Sequence, residues 1–208
     1  MIGDADDLES PPAIGLSRAR AVMRDYDPRW PDEFDREAGY LRHALDGLPF
    51  IEHVGSTAVP GLPAKPLIDI AVGLVGREAL EEARRRLVTG GYDDRGDFGE
   101  HGGVIVAKGP ESDRTHLLHL VELGSRQWRR YLAFRDSLRA DPALRVQYAA
   151  LKSGLAKDFW NDRSAYLEGK RAFVEEATDS AELDADGPTT GDGHQDPSLR
   201  VVRVPSAK

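Results

Sequence analysis

Residues 51–74 read IEHVGSTAVPGLPAKPLIDIAVGL, and the fold turns on how this stretch is parsed. Phe50 to Val54 predicts a strand with one apolar face, and Gly55-Ser56 a turn. Leu67 to Leu74 is the most strand-like run of the chain, apolar on both faces as an interior strand is. Such a strand carrying Asp69 suffers a desolvation cost unless the carboxylate meets a metal, a cation or hydrogen-bond donors. Gly55 lets the main chain approach a ligand, and Ser56 adds a hydroxyl to the backbone N–H groups of a tight turn. Lys65 offers a point charge to a phosphate. Together these form half of a Mg²⁺–phosphate site, with donors for phosphate oxygens and a carboxylate for a hard cation. The plainer alternative is an ordinary turn, a solvent-facing Lys65, and Asp69 paired with an arginine or a helix end. Neither the P-loop spacing nor the dinucleotide fingerprint is present.

Outward from this stretch, helices and strands alternate. Pro31 suits the start of a helix carrying Phe34, Ala38, Leu41 and Leu45 on one face, which Asp46-Gly47-Leu48-Pro49 stops. Arg77 to Leu87 reads as a helix ended by Gly90-Gly91, Gly102 to Ala107 as a strand, and Thr115 to Leu123 as another. Beyond Gly124 the pattern is helical. Ser125 caps a first helix with Trp128, Tyr131, Leu132 and Arg135, and Asp141-Pro142 opens a second with Leu144, Tyr148, Leu151 and Leu155. A third starts near Asp162 and carries Tyr166, Lys170, Phe173 and Val174. The expected organisation is a mobile leader over 1–15, a mixed α/β core over 16–124, a helical extension over 125–179 and a disordered tail over 180–208.

Charge and composition narrow the partners. The 208 residues carry a formal charge of −8, but residues 1–9 hold four acids and 175–196 eight, neither with a base. Without these twelve the body has 28 basic against 24 acidic residues, a net of +4. A basic body between acidic ends favours an anionic small molecule and disfavours nucleic acid. Residues 125–157 alone hold eight bases and two acids, among them Arg129, Arg130, Arg135, Arg139, Lys152 and Lys157. No aromatic-rich single-strand motif accompanies them, which argues against RNA. No apolar run is long enough to span a bilayer, and the absence of cysteine excludes disulfides and thiolate chemistry, in keeping with a cytoplasmic location.

The run His53-Val54-Gly55-Ser56-Thr57-Ala58-Val59-Pro60-Gly61-Leu62-Pro63-Ala64-Lys65-Pro66-Leu67-Ile68-Asp69-Ile70 closely resembles the signature of the GrpB family, within the nucleotidyltransferase superfamily. Further similar pieces are Arg114, His116 and His119, Trp128, Phe134-Arg135-Asp136, Tyr148, Leu151-Lys152, Leu155-Ala156, Tyr166 and Lys170, so that the likeness covers roughly residues 23–176. Domains of this family also occur fused to dephospho-coenzyme A kinases. The resemblance implies a nucleotidyltransferase-like mixed sheet in which the Gly-Ser turn holds terminal phosphates. It also implies two carboxylates spaced Asp-x-Asp or Asp-x-Glu, with a third on a neighbouring strand, holding two divalent ions. Gly55-Ser56 matches the turn and Asp69 the first carboxylate, while Ala71 stands where the second belongs. A methyl group cannot ligate Mg²⁺, so a single metal, recruitment of Glu52 or Glu122, or loss of transfer chemistry are the open consequences.

Candidates to complete the site lie elsewhere in the chain. Period two puts Arg114, His116, Leu118, Leu120 and Glu122 on one side of a strand and His119 on the other, which weakens a zinc reading. Arg114 and His116 suit phosphate neutralisation or acceptor orientation, and His119 a hydrogen-bonded core or a ligand role. His53 shares parity with Gly55 and is expected on the pocket side, with a structural bond anchoring the loop at 57–64 as the alternative. Asp93, Asp94 and Asp97 read as a solvated loop cluster with one possible ligand. Tyr148 with Lys152, and Tyr166 with Lys170, share helix faces and suit either phosphate contact or stem-on-ring packing.

The function expected on these grounds is metal-dependent nucleotidyl transfer, or ATP-dependent ligation, to a small-molecule acceptor with release of pyrophosphate. Asp69, Lys65, His116 and Arg114 would carry the chemistry. His53, Gly55, Ser56, Lys65, Arg114, Lys152 and Lys170 would hold ATP or another nucleoside triphosphate, and Asp69 and Glu122 would ligate Mg²⁺ or Mn²⁺. The alternatives are a non-catalytic nucleotide- or coenzyme-binding module and a scaffold.

Overall fold

The computed structural model describes residues 12–15, 23–46, 49–97, 103–159 and 162–185. Five strands, β1 (Phe50–Val54), β2 (Ile68–Leu74), β3 (Asp93–Asp97), β4 (Val104–Lys108) and β5 (His116–Glu122), form one mixed sheet in the order β1-β2-β5-β4-β3. Only the central pair β2–β5 is parallel. Helices α1 (Trp30–Ala44) and α2 (Arg77–Thr89) precede and follow the first hairpin, and α3 (Arg126–Ala140), α4 (Pro142–Asp158) and α5 (Arg163–Ala185) complete the chain. This is the expected α/β core with helices C-terminal to it. None of the described helices is long and apolar enough to cross a membrane.

The alternation in β2 divides the molecule. Ile68, Ile70, Val72 and Leu74 point to one side, where Leu41 and Leu45 near α1, Leu80 and Leu87 of α2, and Leu118 and Leu120 of β5 close the main core. Ala71 points to the other side, against Val54, Val121 and Trp128, with Tyr131 and Leu132 of α3 beside them. Gly73 makes that contact possible, since a Cβ there would lie 2.9 Å from Cζ3 of Trp128. A third cluster joins the loop after β1 to the last helices, with Val59 and Leu62 packing on Leu138 and Tyr148, backed by Phe134 and Phe173.

Caps locate the helix starts as expected. Ser125 Oγ accepts from Trp128 N (3.2 Å), and Asp141 Oδ1 accepts from Ala143 N (2.7 Å) and Leu144 N (3.1 Å). Three expectations are corrected. Asp93, Asp94 and Asp97 lie on the edge strand β3, paired with β4, where Asp94 holds Arg84 and Asp93 holds Arg114. The end of the supposed leader is tied to the body, for Trp30 Nε1 donates to Ala13 O (3.0 Å) and Gly15 N to Pro66 O (2.9 Å). Finally, α5 continues to Ala185, past the point where the tail was expected to begin; residues 1–11 and 186–208 lie outside the described residues.

Candidate functional site

The Gly-Ser bend sits directly on the aspartate. Val54, last residue of β1, pairs with Asp69, and the chain then leaves the sheet into a single 3₁₀ turn over Ser56–Ala58. Gly55 has φ 70° and ψ −169°, a conformation essentially closed to residues with a side chain. A Cβ on Gly55 would stand 2.7 Å from Asp69 Oδ2. The glycine is therefore required twice, by its torsion and by its neighbour. The turn's own bonds run from Ala58 N to Gly55 O and from Val59 N to Ser56 O, so the N–H groups of Ser56 and Thr57 stand outside them. Asp69 is partly open, with 27% of its side chain exposed. Arg139 Nε grips the carbonyl of Ala58 (2.9 Å), at the far end of the turn from Gly55.

Three lysines from separate segments meet next to this turn. Lys65, from the loop before β2, lies over the ring of Tyr166 (4.0 Å to the centroid), and Lys170 of α5 lies near the same ring (4.7 Å). Lys152 of α4 sits over Tyr148 (4.9 Å) and donates to Pro63 O (2.5 Å). Burial, with Lys170 and Lys65 adding to it, pushes the Lys152 ammonium down to about 7. The Tyr148 hydroxyl is pushed up by burial; Tyr166 adds to this, a hydrogen bond with Ser56 opposes it, and Asp69 is close enough to contribute. Tyr148 thus links the lysines to the bend. Lys65, Lys152 and Lys170, together with Gly55, Ser56 and Asp69, form one neighbourhood.

The other expected residues lie elsewhere. His53 points to the α1 side of β1, where its ring stacks on Phe34 (4.8 Å) and its Nε2 bonds with Thr57 Oγ1 (3.0 Å). Burial pushes this imidazole down to about 4, so it is neutral at physiological pH. The alternation that shares parity with Gly55 breaks at the bend, which explains the misplacement. His116 shares the main-core face with Leu118 and Leu120, and Arg114 binds Gly109 O (2.6 Å) and Asp93 at the other edge of the sheet. Both are thus on the face or edge away from Asp69. Glu122 pairs with Leu74, five positions along β5 from Leu117, the partner of Asp69. At about 3.3 Å per residue that is roughly 17 Å away, out of reach of a shared ion.

His119 and Tyr131 occupy the ground expected of His116 and Arg114. His119 Nε2 is 3.1 Å from Asp69 Oδ1, and its Nδ1 is 2.9 Å from the Tyr131 hydroxyl. Burial pushes the Tyr131 phenol up to about 12, keeping it protonated. In register, Ala71 has Glu52 on one side and His119 on the other. Glu52 is tied to Arg135 Nη1 (2.7 Å), which also donates to His53 O (3.1 Å). Strand parity alone separated His119 from His116; its partnership with Asp69 needed the parallel β2–β5 register.

The donor set does not fit two divalent ions. The second carboxylate seat holds the methyl of Ala71, the neighbouring strand presents an imidazole, and Glu52 is engaged by Arg135, which also binds Asp136. Among the described residues no group of three His, Asp or Glu side chains is placed to hold a metal. One cation at Asp69 is compatible with the partly open carboxylate and the side-chain-free approach at Gly55.

Residues 20–180 match the family model described as GrpB protein. A UPF0157 protein of Halalkalibacterium halodurans is 41% identical over 76% of this chain and 80% of its own length. The glutamate-rich protein GrpB of Alkalihalophilus pseudofirmus is 32% identical over 78% of this chain and 97% of its own. The crystal structure of the conserved protein GrpB from Enterococcus faecalis superposes with a TM-score of 0.71 at 34% identity, covering 79% of this chain and 99% of that one. The chain belongs to the GrpB family.

Proposed function

We propose that this GrpB-family chain binds the polyphosphate of a nucleoside triphosphate such as ATP, together with one divalent cation, Mg²⁺ or Mn²⁺, at Asp69. We further propose that it transfers the nucleotidyl group to a small-molecule acceptor. The observation that carries the reading is the convergence of Lys65, Lys152 and Lys170 beside Ser56, with Gly55 laid against Asp69. Lys65 and Lys170 bring positive charge toward a polyanion, and its approach favours the protonated form of Lys152, which burial and these two lysines otherwise oppose. Ser56 and the N–H groups of the bend suit phosphate oxygens, and a cation at Asp69 would supply charge for the transferring phosphorus. An acceptor oxygen or nitrogen would attack the α-phosphorus in line, the bond to pyrophosphate breaking as the new one forms.

Ala71 favours a second reading, a nucleotide- or coenzyme-binding module that performs no transfer, because the two-ion clamp lacks a ligand there. Titration with a fluorescent, non-hydrolysable ATP analogue tests both. Binding that needs Mn²⁺ or Mg²⁺ and is lost in Asp69→Asn is expected; no binding with either cation refutes both readings. Pyrophosphate release across an acceptor panel then separates the enzyme from the module.

A further inference from the structure

We propose that Asp69 and His119 together hold a single divalent cation of the first transition series, Mn²⁺ or a neighbour in preference to Mg²⁺, with Tyr131 setting the imidazole tautomer. The inference deepens the polyphosphate reading, resting on it only for the phosphate oxygens that would complete the coordination shell.

Three observations converge. The first is distance. Two cis ligands of an octahedral ion, each bonded at about 2.1 Å, stand about 3.0 Å apart, whereas a tetrahedral pair stands about 3.3–3.4 Å apart. Asp69 Oδ1 and His119 Nε2 are 3.1 Å apart, a hydrogen-bond separation that also spans a cis octahedral edge, so both reach one ion once Nε2 gives up its proton and the ring turns toward it. The second is the outer contact. A metal-bound histidine hands its remaining ring N–H to an oxygen acceptor, which holds the ring in place. Tyr131 Oη lies 2.9 Å from His119 Nδ1, and a hydroxyl serves either tautomer. It donates to Nδ1 when Nε2–H points at Asp69, and accepts from Nδ1–H when Nε2 faces a cation.

The third is charge and ligand type. Among the described residues Asp69 has no arginine on it, whereas Glu52 is paired with Arg135. One negative charge balances one bound dication better than two. Imidazole is a poor ligand for Mg²⁺ and a good one for later divalent metals. His119 in the place of a third carboxylate therefore changes both the number of ions and their identity.

Mn²⁺ alone is the probe, titrated into the full chain and followed by electron paramagnetic resonance. One equivalent should bind, with pulsed spectra showing ¹⁴N modulation from a coordinated imidazole in the unaltered protein. His119→Gln should abolish that modulation and weaken Mn²⁺ by 10- to 100-fold, Tyr131→Phe should weaken it by about 10-fold, and Mg²⁺ should compete at least about 10-fold less well. Bound Mn²⁺ without ¹⁴N modulation, ¹⁴N modulation that survives His119→Gln, a stoichiometry of two, or equal competition by Mg²⁺ overturns the inference. A second arm with the ATP analogue keeps the two readings apart. Nucleotide binding without the imidazole signal removes this inference and leaves the polyphosphate reading, while the imidazole signal without nucleotide affinity does the reverse.

Discussion

Replacing Lys152 with methionine should stabilise the protein at acid pH and lose that advantage at alkaline pH. Lys152 is 2% exposed, and its ammonium falls from the ordinary 10.5 to about 7 because burial and two neighbouring lysines oppose its charge. A depressed folded pKa means that the unfolded chain binds more protons between pH 7 and 10.5, so stability rises with pH across that window. At 1.36 kcal/mol for each pH unit, burying Lys152 costs about 5 kcal/mol at pH 6, where it is charged. The cost is about 1 kcal/mol at pH 9.5, where it is folded in neutral and the unfolded chain still binds the proton. Methionine fills similar space and removes this cost, but it also removes the bond to Pro63 O, a loss of about 1–3 kcal/mol. Lys152→Met should therefore be about 2–4 kcal/mol more stable than the natural protein at pH 6. The two should be equal, or the variant up to about 2 kcal/mol less stable, at pH 9.5. Urea unfolding of both at pH 6, 7.5 and 9.5 measures the difference. A difference that does not change with pH, or a variant less stable at pH 6, would mean that Lys152 does not carry its charge inside the cradle, and the polyanion argument built on it would fall.

Three further outcomes follow from the same geometry. The His53 imidazole, lowered to about 4, should cost the protein about 3 kcal/mol as pH falls from 6.5 to 4, because only the unfolded chain is readily protonated there. A His53→Gln variant that keeps a partner for Thr57 should lack that acid slope in urea titrations at pH 7 and 4.5. Gly55→Ala should lose about 1–3 kcal/mol from its torsion alone and more from the contact with Asp69, and should bind the ATP analogue at least tenfold more weakly, as thermal unfolding and titration would show. Ala71→Asp places a carboxylate among Val54, Val121 and Trp128 and should destabilise by about 3–5 kcal/mol, with part of the loss recovered in millimolar Mn²⁺.

The bend, the aspartate and the interior strand were all legible in the sequence, because a glycine–serine turn beside an apolar run with one acid in it leaves few local arrangements. The two faces of β5 were legible as well, and His116 does share its face with Leu118 and Leu120. What could not be read was which of those faces meets Asp69. That depends on the parallel pairing of Asp69 with Leu117, set by segments nearly fifty residues apart. The strand β3 escaped for another reason: Asp93-Asp94-Arg95-Gly96-Asp97 has no apolar face and holds its place by the ladder to β4 and by Arg84 and Arg114. The pairing of Tyr148 with Lys152 followed from helical spacing, but its meeting with Lys65 and Lys170 depends on how α4 and α5 fold back over the loop after β1.

Helix α3 ties these differences to one cause. Trp128, Tyr131 and Arg135 fall on one of its faces at spacings of three and four residues. Each meets a different seat of the sheet: Trp128 covers Ala71 and Gly73, Tyr131 holds His119, and Arg135 binds Glu52. An acid at position 71 would be driven against the indole, which fits the alanine found there. The residues at positions 52, 71, 73 and 119 are therefore packed or paired through one helix. With the helix in place, Asp69 has no arginine on it among the described residues, and Lys65 and Lys170 bring positive charge beside the bend, with Lys152 buried next to them.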